Sequence, residues 1–390
     1  MRLLNSKSPR TVFMVSVGAA VLGTALMNAP ATASTPSNSR ASAVATVFAI
    51  GLVNPRGLEF GPDGKLYVAE GGYPVAPMTA APAGLGGLCS AGASGPGEYF
   101  GSTTGSRISR IDARGHVETF VGGLPSSEAG GLASGVADVA FVGNTLYAIF
   151  AGAGCSHGVP SIPNGVIRIN RNRSWTMIAN LSKFIQAHPV ANPTDPITGD
   201  FEPDGTWYSM IAVHGDLYGV EPNHGELDKI TTSGRVSRVI DISASQGHVV
   251  PTVVAHHGVF YVSNLGQFNP GALNTQSVYR ITARGHIKVV ATGLSKVLGI
   301  AIDRRGRIYI LETSYSTTDP GPEPATARLI RIEPNGKQEV LVDGSSGILS
   351  VPAGMTLGPD GDLYISNVGF GAPPTGLGQI VRVEIHDRRF

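Results

Sequence analysis

Five carboxylate or amide side chains recur at one place in a repeated string, and together they could hold a hard cation. The string reads LYVAE from Leu66, LYGVE from Leu217, FYVSN from Phe260, IYILE from Ile308 and LYISN from Leu363, ending on Glu70, Glu221, Asn264, Glu312 and Asn367. A sixth copy, LYAIF from Leu146, ends on Phe150. Three carboxylates and two amides form an all-oxygen set that suits calcium better than a thiophilic metal. A second chemistry competes for the same groups. An acid or amide at a strand end can take the backbone N–H groups of its own loop, copy by copy, without meeting its counterparts. Asp138 and Arg56 open two neighbouring strands and are further candidates for the rim of a shared site.

Other signatures of chemistry are sparse. The chain contains no G-x-S-x-G elbow, no H-E-x-x-H and no phosphate-binding loop. His116 and His286 fall in ARGH turns, and His256 and His257 in another short turn; His157, beside Cys155, and His224, in PNHG, fall in long connections. The segment DFEPDGTWYSM from Asp200 gathers Glu202, Asp204, Trp207 and Tyr208. Such a grouping serves either to stack a carbohydrate or to pack a loop.

Short strands must position all of these groups. Each copy follows a turn such as GPDGK before Leu66 or GPDGD before Leu363, and before that a nearly all-apolar run such as RGLEF from Arg56, DVAFV from Asp138 or GIAID from Gly299. A run without polar alternation belongs to a strand covered on both faces. Alternating strands follow, for example SRISRID from Ser106 and ARLIRIE from Ala327, then turns such as PNGK and outer strands such as VETFV and QEVLV. Self-similar units of this kind cannot bury their faces alone. Stacked in a ring, they predict an all-β, six-bladed β-propeller. The last unit runs out at Ile385 without an outer strand, whereas ATVFAIG, from Ala45 to Gly51, precedes the first unit with outer-strand character. Pairing the two closes the last blade with an N-terminal strand and removes the open edge.

The connections after the repeated string are long: Gly71 to Gly105, Ala151 to Asn164, Leu265 to Gln276, Thr313 to Thr326 and Gly369 to Leu377. The turns on the opposite face are short, so binding residues are expected on the long-loop face. The chain's two cysteines, Cys89 and Cys155, lie in equivalent connections of adjacent units. They are expected to form a disulfide, the alternative being two separate buried thiols.

Residues 1–33 read as a signal peptide: Arg2, Lys7 and Arg10, an apolar run from Thr11 to Met27, then Ala31-Thr32-Ala33. Residues 34–43 read as a disordered leader and 44–390 as one propeller domain, giving a secreted protein, periplasmic where the source has an outer membrane. A net charge of +1 without a basic stripe argues against nucleic acid as a partner. Nothing after the signal is apolar and long enough to enter a membrane, and a monomer is expected.

The combination of the export signal with NPRGLEFGPDGKLYVAEGG from Asn54, CSAGASGPGEYFGSTTGSRISRID from Cys89, and DFEPDGTWYSM followed by GDLYGVEPNHGELDKI resembles the ScyD/ScyE family over essentially the whole mature chain. That family is similar in turn to NHL-type and gluconolactonase-like six-bladed propellers. The resemblance implies export and carries over no catalytic residue. Gluconolactonase-like propellers bind a divalent cation in the central funnel through Glu, Asn and Asp; Glu70, Glu221, Asn264, Glu312 and Asn367 have suitable types. The leading expectation is a secreted, non-catalytic propeller that binds a small molecule or extracellular component on its long-loop face. The rivals are a metal-dependent lactonase or esterase and a quinone-dependent redox enzyme.

Overall fold

A computed structural model describes residues 43–82, 89, 98–193, 201–247, 249–266, 273–316, 323–369 and 376–385. The expected signal peptide and leader, residues 1–33 and 34–43, lie outside these residues except for Ala43. The remaining described chain lies in a single compact unit, Ala41–Phe390. Among the described residues no helix is long and apolar enough to cross a membrane.

The expected six-bladed propeller is the architecture observed. Six antiparallel sheets follow one another along the chain. Their innermost strands are Pro55–Phe60, Val136–Val142, Ser209–Val213, Pro251–His256, Val297–Ile302 and Gly354–Leu357. In blade 6 the N-terminal strand Ala43–Leu52 takes the outermost place, with Ala43 opposite Ile385 and Leu52 opposite Gly378. The ring is thus closed by hydrogen bonds between the two ends of the domain.

Apolar side chains fill the seams between blades. Tyr67, Ala69 and Ile108 of blade 1 pack on Val139, Ala148 and Phe150 of blade 2, and Leu311 and Leu329 of blade 5 pack on Leu363 and Val381 of blade 6. Each fully buried aliphatic side chain contributes about 1.5–3 kcal/mol. This explains the unalternating inner strands: both faces of every blade meet a neighbour.

Two features depart from the plain repeat. Blade 1 is extended, because its third strand, Phe100–Ile111, pairs with Thr79–Ala80, and its fourth, Val117–Ala129, turns into Leu132–Ser134. Part of the connection expected to be irregular is therefore sheet. After blade 2 the chain forms a helix, Leu181–Ala187, which periodicity did not reveal. Asn180 accepts the Lys183 N–H as its N-cap, and Leu181 and Ile185, one turn apart, are buried. Two turns are too short for a hydrophobic stripe to show in the sequence.

Candidate functional site

The five strand-end groups are all buried, Glu70, Glu221 and Glu312 completely, but each is engaged by its own blade. Glu70 accepts from Val53 N at 2.6 Å, from Arg107 Nε at 2.7 Å and from the Ser109 hydroxyl. Glu312 repeats the pattern with Ser295 N at 2.8 Å and Arg328 Nε at 2.6 Å. Glu221 accepts from Thr206 N and His224 N, Asn367 accepts from Ser350 N, and Asn264 accepts from Ser277 N while its amide meets Gln276. In four of the five blades the group thus closes the connection entering its own inner strand, satisfying an otherwise orphaned N–H. In blade 2, where the position is Phe150, Asn164 accepts from Ala153 N at 3.0 Å within the connection that follows the second strand.

None of the five lines the central channel. Their oxygens are already taken by donors within the blade, an arrangement that does not fit a common cation. Among the described residues, no group of three or more His, Cys, Asp or Glu side chains is placed to hold a metal ion.

The channel has its own polar groups. Six inner strands enclose a cavity of about 330 Å³, within the range typical of small-ligand sites. Glu59 of blade 1 accepts from Phe141 N of blade 2 at 2.8 Å, and Asp138 of blade 2 accepts from Met210 N of blade 3 at 2.8 Å. Each carboxyl therefore ties two adjacent blades together at the wall of the channel. Gly57 makes room for this, since a Cβ there would lie 1.8 Å from Asp138 Oδ1. Burial raises both groups to about 7. Sequence reasoning singled out Asp138 and missed Glu59. An acid within an otherwise apolar inner run was the available signal for both.

Toward the loop face Tyr208 packs with Leu265, Leu298 and Val351, which come from blades 4, 5 and 6. The Arg56 guanidinium of blade 1 lies 6.0 Å from the Tyr208 ring centre and donates to Ala133 O at 2.6 Å. Burial lowers the Arg56 pKa, with Tyr208 opposing the shift. Tyr208 thus brings blade 3 against residues of four other blades.

Beside this point, connections of blades 1, 2 and 3 meet. Cys89 and Cys155 form the expected disulfide, with Cα atoms 5.0 Å apart. Asp204 accepts from Cys155 N at 2.6 Å and from the hydroxyl and N–H of Ser156. Gly154, at φ 88°, admits this contact, because a Cβ would fall 2.3 Å from Asp204 Oδ2. The Tyr99 hydroxyl donates to Glu202 Oε1 at 3.0 Å, and the Tyr99 and His157 rings lie 4.4 Å apart. Burial drives the His157 pKa down to about 4, so the imidazole is neutral at pH 7, and burial raises Asp204. Tyr99, His157 and Glu202 are buried. Along the chain of blade 1, Tyr73 (37%), Val75 (55%), Met78 (46%) and Phe100 (36%) are exposed.

Blade 3 holds a further acid pair. Glu226 and Asp228 point to the same side of one strand and are fully buried, as is Trp207. Arg238 binds Glu226, and burial raises both acids, Asp228 well above the carboxylate range with Glu226 adding to its shift. A protonated Asp228 beside Glu226 is the state this arrangement favours. Trp207 is a packed loop residue.

No family model and no curated protein matches the chain. Solved structures similar to it include a putative oxidoreductase (glucose dehydrogenase) from Thermus thermophilus, at 16% identity and TM-score 0.53, covering 88% of this chain and 100% of that one. A gluconolactonase from Xanthomonas campestris is 9% identical with TM-score 0.50, covering 88% of this chain and 90% of that one. Virginiamycin B lyase from Staphylococcus aureus gives 14% identity and TM-score 0.47 over 84% of this chain and 83% of that one. At such identities the likeness is one of fold.

Proposed function

We propose that this chain is an exported, non-catalytic propeller of the ScyD/ScyE type that binds a small molecule or an extracellular component on its long-loop face. The observation that carries this reading is the exposure of Tyr73, Val75, Met78 and Phe100 in blade 1, which the Cys89–Cys155 disulfide ties to the long connection of blade 2. Covering exposed apolar side chains removes them from water, which favours binding. Export is supported by the N-terminal signal pattern and by a disulfide, which persists in oxidising compartments.

A hydrolytic reading has one observation in its favour: Glu59 and Asp138 titrate near neutrality inside the channel, as general acids and bases do. Both carboxyls, however, already accept backbone N–H groups from the next blade. A thermal-shift screen of small molecules and extracellular polycations, polyanions and glycans tests the two readings. A hit that disappears in Tyr73→Ser/Val75→Ser/Met78→Ser, with unchanged melting of the free protein, supports the binding surface. Hits indifferent to that variant, or turnover of a lactone or ester that Asp138→Asn abolishes, contradict it.

A further inference from the structure

The central channel differs at its two ends. At the loop face Tyr208, Leu265, Leu298 and Val351 pack together, and Arg56 lies against the Tyr208 ring. These residues come from five blades, which can meet only at the axis. At the short-turn face the strands leave the core: the inner strands of blades 2, 4, 5 and 6 begin buried and end half-buried at Val142, His256, Ile302 and Leu357. The channel is thus plugged toward the loops and open toward the turns.

Its lining is rich in acceptors. Each innermost strand is paired on one side only, so its other edge turns backbone C=O and N–H groups toward the axis. Two of those donors, Phe141 N and Met210 N, are taken by Glu59 and Asp138. Among the described residues the lining contains no lysine or arginine. Its imidazole, His256, is neutral at pH 7, because burial and the nearby His214 and His257 lower its pKa. Asp138 is satisfied, with Oδ1 accepting from Val139 N and Oδ2 from Met210 N, both at 2.8 Å. Glu59 is not: half-buried toward the open end, it accepts from Phe141 N on Oε2 alone among the described residues, which keeps Oε1 for a ligand.

We propose that the channel binds an aliphatic ammonium ion, admitted from the short-turn face, with the nitrogen at Glu59 Oε1 and the hydrocarbon stem along the axis. An ammonium carries three donors and no acceptor, the complement of this lining. Its hydrogen bond to a carboxylate is of the stronger, charge-assisted kind. Burial holds Glu59 up at about 7, and a cation beside it offsets that penalty. A metal ion needs several oxygens in one close shell, whereas the side chains here offer one free carboxylate oxygen. The cavity of about 330 Å³ also has room for a stem, which would cover apolar lining such as Ile211, Ile300 and Met355. This site is separate from the loop-face surface, and neither requires the other.

Calorimetric titration of the full chain at pH 8 with n-butylamine and n-hexylamine tests the site, with 1-butanol and 1-hexanol as neutral counterparts and potassium chloride as an inorganic cation. The expected result is saturable binding of the amines, at least about tenfold tighter than that of the alcohols, with a loss of about tenfold or more in Glu59→Gln. That variant keeps an acceptor for Phe141 N, so the free protein should melt unchanged; the comparison of amine with alcohol needs no variant. Thr356→Trp, in the half-buried end of the blade 6 inner strand, should weaken amine binding by narrowing the entry. No saturable amine binding, equal affinity for the alcohols, displacement by potassium at the amine's own concentration, or indifference to Glu59→Gln overturns the site. Unchanged affinity in Thr356→Trp overturns entry from the turn face. Amine binding that Glu59→Gln removes and Tyr73→Ser/Val75→Ser/Met78→Ser leaves intact belongs to the channel and does not count against the loop-face surface.

Discussion

Blades 5 and 3 meet the same demand in different ways. In blade 5, Arg328 stands directly opposite Glu312 across the strands, and blade 1 repeats this with Arg107 opposite Glu70. In blade 3, the residue opposite Glu221 is another acid, Glu226, and the cation, Arg238, comes from the outermost strand. Asp228, two residues on, is left to share its environment with Glu226 and the Trp207 indole. In both of these blades the balanced acid is engaged within its own blade. The unit that breaks the pattern is also the one whose entry segment sends Glu202 and Asp204 to the connections of blades 1 and 2. What differs from the repeat is where blades are joined to one another, and that is where function is to be sought.

The balanced blade should be the most sensitive to loss of its cation. Arg328→Met leaves Glu312 completely buried without its partner, and burial already raises that carboxyl with Arg328 present. A loss of about 3–5 kcal/mol is expected in urea unfolding, since breaking a buried pair from one side costs more than the pair contributes. A loss below about 1 kcal/mol would show that water reaches Glu312 and that the blades are not sealed as described.

The junction of blades 1 to 3 should fail in acid. The folded pKa of His157 is depressed to about 4, so its contribution is complete above the unfolded value of about 6.5 and is lost as pH falls toward 4. Across that window the loss approaches about 3 kcal/mol. His157→Gln, which stays neutral, should flatten the acid limb of stability against pH; an unchanged limb assigns the loss elsewhere.

Blade 3 should respond with the opposite sign. Asp228 has a raised folded pKa, so its contribution is present at low pH and is lost as pH rises from the ordinary carboxylate range through the folded value. Asp228→Asn mimics the protonated acid and can still donate to Glu226. A gain on the order of 1–3 kcal/mol at pH 8, vanishing near pH 4, is expected from chemical unfolding. Destabilisation at pH 8 would mean that the carboxylate is ionised and held by groups other than those described.

How much of this was legible in the sequence follows from range. The six strands ending at Glu70, Phe150, Glu221, Asn264, Glu312 and Asn367 announce themselves because the same local problem is solved six times, and the closing strand shows as a unit missing at one end and present at the other. The disulfide followed from equivalent connections on adjacent blades. Glu59 and Asp138 were harder to read, because their partners, Phe141 and Met210, are 82 and 72 residues away. The same holds for Tyr99 and Glu202, 103 residues apart. A side chain's type says that it needs a partner, and only the ring says which blade supplies it.

The repeated strand-end groups find their hydrogen-bond partners within their own blades, so calcium is expected to find no shared site among them. Calorimetric titration of chelator-stripped protein with calcium tests it most directly. No saturable heat, and a melting temperature unmoved by chelator or by added calcium, is the predicted result. Stoichiometric calcium binding that weakens in Glu221→Gln, with the fold intact, would contradict it and bring the metal-dependent hydrolase forward.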